Sequence, residues 1–105
     1  MTGRKEEMDM NGTEPQNLYE LVTRNMEQRF ADRAAFRWYD EAADAVRCRT
    51  YRECAQDIRR AVRYFQSTVP EVRGKRICLW SNNSYAYAVN CYGIMLAGGV
   101  VVPLN

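Results

Sequence analysis

The sequence predicts an α/β fold, and only the opening portion of one: a helix, a β-hairpin, a second helix, then a parallel βαβ unit. Three observations carry this. Two segments place apolar residues at helical spacing directly behind capping signals. Between them the pattern switches to period two. The C-terminal segment runs apolar strand, apolar helix, apolar strand, an order that pairs the strands in parallel with a right-handed crossover.

Residues 1–16 form a polar leader ending near Pro15. "NLYE" follows as a capping box, with Asn17 accepting from the Glu20 amide and Glu20 reaching back. Leu18, Leu21, Val22, Met26 and Phe30 continue at helical spacing, which predicts an amphipathic α-helix. In "AAFRWYDEAADAVRCRTY", Phe36 and Trp38 alternate with Arg37 and Tyr39. Beyond the acidic connection, Val46 and Cys48 alternate with Arg47 and Arg49. The expectation is a hairpin with one buried and one wet face. Arg37, Arg47 and Arg49 then form either an anion-binding patch or a solvated sheet surface, and the solvated surface is preferred because exposed charge is ordinary there.

"TYRE" repeats the capping box with Thr50 and Glu53. Tyr51, Cys54, Ala55, Ile58, Ala61, Val62 and Phe65 make an unbroken stripe, while Arg52, Gln56, Asp57, Arg59, Arg60 and Arg63 lie off it. Such an arginine-rich face suits RNA or anionic lipid; interleaved Glu53 and Asp57 favour intrahelical pairing on a wet face instead. "RICLW" is a short strand, and "SNNS" offers Asn82, Asn83 or Ser84 as the next N-cap. "YAYAVNCYGIML" is apolar almost all round and should be covered on several sides. It ends at "AGG", where glycine supplies a left-handed cap before "VVVPLN". A parallel sheet requires more strands and helices on both faces than these residues supply, so the chain reads as the N-terminal part of something larger.

Composition narrows the function. With 47% hydrophobic and 27% charged residues the chain can build a core, and a net charge of +2 gives no cause to expect a nucleic-acid partner. Histidine is absent, which removes Ser-His and Cys-His pairs and the commonest metal ligand. Cys48, Cys54, Cys78 and Cys91 contain no C-x-x-C pair; they are expected as reduced thiols on buried faces of a cytoplasmic protein. No stretch reaches the about 20 apolar residues of a membrane span, because Asn90, Gly93, Gly98, Gly99 and Pro103 interrupt the longest candidate.

The strand–turn–helix "CLWSNNSYAY" has the topology of a phosphate cradle but lacks G-x-G-x-x-G and G-x-x-x-x-G-K-[ST]. A plain N-cap is the preferred account. Asp9, Glu14, Glu41, Asp44 and Glu71 sit in polar segments without a paired acid and base. No catalytic, cofactor-binding or metal residue is therefore assigned.

The order "NLYELV", "AAFRWYD", "RTYRECAQDIRRAVRYFQ", "GKRICLWSNNS" and "YAYAVNCYGIMLAGGVVVPLN" resembles the opening of the adenylate-forming (AMP-binding) superfamily over residues 17–105. That superfamily includes acyl-CoA synthetases, amino-acid adenylation domains and luciferases. The resemblance implies a parent ligase of acyl-CoA synthetase type. With ATP and magnesium such an enzyme converts a carboxylic acid to an acyl-adenylate, then passes the acyl group to coenzyme A. The alternatives are an adenylation domain loading a carrier protein, and a small independent α/β interaction module. The family's phosphate loop, adenine- and ribose-binding segments and C-terminal lysine are expected downstream of Asn105. Asn83, Gly98, Pro103 and Asn105 match its structural pattern only, and residues 17–105 are expected to be inactive scaffold. The partners this implies are the remainder of the ligase domain and, for the isolated chain, a second copy of itself.

Overall fold

The computed structural model describes residues 15–82 and 84–104. Most of the expected leader, with Asp9 and Glu14, lies outside them, as do Asn83 and Asn105.

Helix α1 starts as an α-helical turn, Leu18–Glu20, and continues as a π-helical stretch, Leu21–Arg29. Asn17 Oδ1 accepts from the Glu20 amide at 2.9 Å. Glu20 Oε1 accepts from the Gln16 amide at 2.9 Å, so the reciprocal bond closes one residue earlier than the expected box. The wider winding departs from the expected α-helix. The Thr23 hydroxyl donates to the Tyr19 carbonyl at 3.0 Å and so competes for the acceptor that α geometry reserves for the Thr23 amide. Phe30 N–H closes the end on the Asn25 carbonyl at 2.8 Å, a five-residue span. Val22 and Met26 still share the buried side.

Strands β1 (Ala34–Asp40) and β2 (Ala45–Thr50) form the antiparallel hairpin. Asp40 Oδ1 accepts from the Ala42 and Ala43 amides at 3.1 and 3.3 Å and shapes the turn, with Asp44 at φ 52°. The register sets Phe36 opposite Arg49, Arg37 opposite Cys48, Trp38 opposite Arg47 and Tyr39 opposite Val46. Residues directly opposite share a face. Phe36 and Trp38 therefore share theirs with the arginines, and Val46 and Cys48 lie with Arg37 and Tyr39. The expected division into one apolar and one charged face is thus corrected. Val46 is 69% exposed, and Cys48 is exposed beside it.

Helix α2 (Tyr51–Thr68) carries the complete capping box: Glu53 N–H donates to Thr50 Oγ1 at 3.2 Å, and Thr50 N–H to Glu53 Oε1 at 2.9 Å. Tyr51 and Arg52 amides donate to the Arg33 and Ala31 carbonyls, which ties the α1–β1 link to the helix start. Cys54, Ala55, Ile58, Ala61 and Phe65 form the spine of the core, with Ile58 fully buried. Tyr51 and Val62 are half-buried and pack against it, and Arg52, Arg59 and Arg63 are exposed.

A turn with Glu71 (φ 49°) and Gly74 (φ 79°) leads to β3 (Arg76–Trp80), α3 (Tyr85–Leu96) and β4 (Val100–Leu104). The two strands pair in parallel from Arg76↔Val100 to Trp80↔Leu104, which completes the predicted βαβ unit. Gly98, at φ 100°, caps α3 as expected, and Gly98 and Gly99 amides return to the Met95 and Ile94 carbonyls at 3.1 and 2.9 Å. Ile77, Leu79 and Val101 pack on the core. On the other face Trp80 is 79% exposed beside exposed Cys78, Val100 and Leu104. Along helix α3, Val89, Gly93 and Ile94 are buried and most other residues half-buried, whereas Ala86 and Met95 are exposed. Among the described residues, no helix is long and apolar enough to cross a membrane.

Candidate functional site

The phosphate-cradle candidate resolves into a capped helix start. Ser84 adopts extended geometry, and its hydroxyl accepts from the Tyr87 amide at 3.1 Å. Ser81 Oγ donates to the neighbouring Asn82 carbonyl at 3.2 Å. Ser81 and Ser84 thus serve the local backbone, and no glycine or lysine stands in the turn to admit a pyrophosphate. This turn does not fit the phosphates of ATP. Nor do the described residues include a group of three His, Cys, Asp or Glu placed to hold a metal.

The hairpin arginines also have local work. Arg47 Nε lies 3.0 Å from Asp40 Oδ2. Arg49 sits 3.7 Å from Glu53 and 3.9 Å from Asp57, with its guanidinium 5.9 Å above the Tyr85 ring. On α2 two of the four arginines reach carboxylates outside the helix, and one pairs along the helix as expected. Arg52 pairs with Asp32. Arg59 pairs bidentately with Glu27, at 2.5 and 2.8 Å. Only Arg60 bonds within the helix, to Asp57 at 2.6 Å.

The most organised polar cluster is centred on Asp57 and Tyr85. The Tyr85 hydroxyl donates to Asp57 Oδ2 at 2.6 Å, while Arg60 holds the other carboxylate oxygen. Trp38 stacks on the Tyr85 ring, centroids 5.4 Å apart at 11°, and Phe36 meets its edge at 5.1 Å. Burial, then the bond to Asp57, pushes the Tyr85 phenol well above its ordinary range. Burial likewise raises the Cys54 thiol, so this cysteine is a packing residue rather than a nucleophile. The cluster pins hairpin, α2 and α3 together, and its carboxylate is already satisfied.

Sequence reasoning missed it by placing Asp57 on a wet face; the side chain is only 19% exposed. The signal was Tyr85 directly after the Ser84 cap, an aromatic with a polar tip at the start of an otherwise apolar helix. The cysteine expectation is corrected as well. Cys54 is buried and Cys91 half-buried, but Cys48 and Cys78 are exposed because nothing among the described residues covers their strand faces. Glu41, Asp44 and Glu71 are exposed in turns.

No protein-family model matches this sequence, and no curated protein does. Among solved structures the chain is similar to the N-terminal subdomain of NpsA from Klebsiella oxytoca. The likeness has a TM-score of 0.66 and 26% identity, over 80% of this chain. The chain spans 20% of the length of that NpsA chain.

Proposed function

We propose that this chain is the N-terminal portion of a larger adenylate-forming protein and contributes scaffold rather than reacting groups. One observation carries the reading: helix, hairpin, helix and parallel βαβ unit match a solved N-terminal subdomain over 80% of the chain. The sequence resemblance over residues 17–105 supports the same class. The described residues agree with a supporting role, since their organised polar groups hold elements together. Capped helices and packed strands keep a neighbouring site rigid; stabilising a transferring phosphoryl group needs convergent cations and donors supplied elsewhere.

The parent's chemistry in this proposal is ATP- and magnesium-dependent activation of a carboxylic acid as its acyl-adenylate. The acyl-CoA synthetase resemblance implies coenzyme A as the acceptor. The NpsA likeness gives it no added weight, and an adenylation domain loading a carrier-protein thiol fits that likeness at least as well. Four free thiols suit a reducing compartment, so a cytoplasmic setting belongs to the proposal.

The reading frame beyond Asn105 tests the class. A Ser/Thr/Gly-rich loop ending in lysine downstream is the expected finding; a stop codon directly after Asn105 in the native gene would leave a small independent module. Offering the full-length product coenzyme A and a carrier protein then assigns the acceptor.

A further inference from the structure

A cleft of about 270 Å³ opens between α1, α2 and the end of α3, and none of the roles above uses it. Val22, Val62 and Leu96 form its apolar side, and buried Val22 is the floor. Exposed Tyr19, Arg59, Arg63 and Gln66 form the mouth.

The two guanidinium groups at this mouth are not equivalent. Helix α2 carries Arg52, Arg59, Arg60 and Arg63. The first three pair with Asp32, Glu27 and Asp57 respectively. Arg63 has no carboxylate partner among the described residues, and it is the arginine that borders the cleft beside a neutralised Arg59. Gln66 stands three residues on, on the same side of the helix, with an amide that adds a donor. Among the described residues, an apolar floor therefore meets one cation without a carboxylate partner.

We propose that this cleft binds a small organic monocarboxylate with a compact apolar body. The carboxylate takes the Arg63 fork, which matches its planar geometry, and the Gln66 amide donates alongside. The body covers Val22, Val62 and Leu96 and lies against the Tyr19 ring. Drug-sized ligands occupy pockets of about 300–1,000 Å³, so a single-ring or short branched acid suits this volume. A phosphate or other polyanion fits less well, because a single cation leaves charge unbalanced against an apolar floor. The site stands apart from the adenylate-forming reading and does not depend on it.

Amide-resolved NMR titration of the 105-residue chain with sodium benzoate tests the site, with benzamide as the neutral counterpart. Benzoate is expected to give saturable shifts confined to the surroundings of Tyr19, Val62, Arg63, Gln66 and Leu96, and to bind about tenfold more tightly than benzamide. Tenfold is about 1.4 kcal/mol, the scale of a charge-assisted hydrogen bond. Arg63→Gln should bring benzoate down to the benzamide level, whereas Arg52→Gln, on the same helix, should leave binding unchanged. Both side chains are exposed, so both variants retain the fold. Fluorine NMR with 4-fluorobenzoate at low protein concentration makes the same comparison if the chain self-associates. Equal affinities for benzoate and benzamide, unaltered binding by Arg63→Gln, or shifts scattered over the arginine surface would overturn the proposal.

Discussion

Gly93 sits where α3 crosses α2, and a methyl group there has no room. A Cβ built at Gly93 would lie 2.5 Å from Ala61 Cβ and 3.3 Å from the Ala61 carbonyl carbon. The obstacle is a helix backbone and its first side-chain atom, neither of which can swing aside. In an exposed helix Gly→Ala would stabilise by about 1 kcal/mol through propensity. Here the helices must move apart, and overpacking of this kind typically costs about 1–3 kcal/mol. Separation also loosens the fully buried Ile58 and Ile94, whose dispersion contacts weaken steeply with sub-ångström gaps. Contact loss should therefore outweigh propensity, with a net destabilisation of about 1–2 kcal/mol for Gly93→Ala. That corresponds to a melting point lower by roughly 5–15 °C in a domain of this size. Urea melts followed by circular dichroism measure it. The double variant Gly93→Ala/Ala61→Gly should be less destabilised than the two single costs added, because the second change vacates the space the first requires. A Gly93→Ala chain as stable as the parent, or additive single costs, would refute the close crossing.

Other outcomes follow from the same contacts. Tyr85→Phe should cost about 0.5–1.5 kcal/mol by removing the hydroxyl that donates to Asp57, and a cycle with Asp57→Asn should show coupling between them. Ile58→Ala should cost about 2–5 kcal/mol because its side chain is fully buried. Arg59→Ala, near neutral on a wholly solvated face, should cost about 0.5–1 kcal/mol through the lost fork on Glu27. The bond from Arg59 holds the Glu27 carboxyl below its ordinary range. Its contribution is therefore complete above the unfolded carboxylate range and lost as pH falls through the lowered folded value, and Glu27→Gln should flatten that acid limb of the stability profile. Sedimentation should show the isolated chain self-associating through the uncovered β3–β4 face, where Trp80, Val100 and Leu104 are exposed. A stable monomer at high micromolar concentration would mean that face needs no partner.

Local chemistry carried most of the architecture. Asn17, Thr50 and Ser84 mark three helix starts because each oxygen satisfies an amide within its own turn, and Gly98 marks an end because its backbone must turn left-handed. The α2 stripe was legible for the same reason: its period follows from helical geometry alone. The facing of the hairpin was not. Period two sorts the residues within each strand, but loop length decides which sets meet across the turn. Asp40 pairs with Ala45, and that register brings Trp38 beside Arg47. The Asp57–Tyr85 bond joins residues 28 positions apart, and no local pattern encodes such a meeting. The widening of α1 accompanies a Thr23 hydroxyl bond to the Tyr19 carbonyl, a detail that apolar spacing does not reveal.

In the proposed function these residues support a carboxylate-activating site formed elsewhere in a longer protein. Carboxylate-dependent ATP–pyrophosphate exchange, run side by side on the full reading-frame product and on the 105-residue chain, addresses it most directly. The full product should exchange pyrophosphate with at least one acid from a panel of aliphatic, aromatic and amino acids, and the short chain with none. Exchange by the short chain that persists through further purification would contradict the account, as would a folded full-length product inactive with every acid.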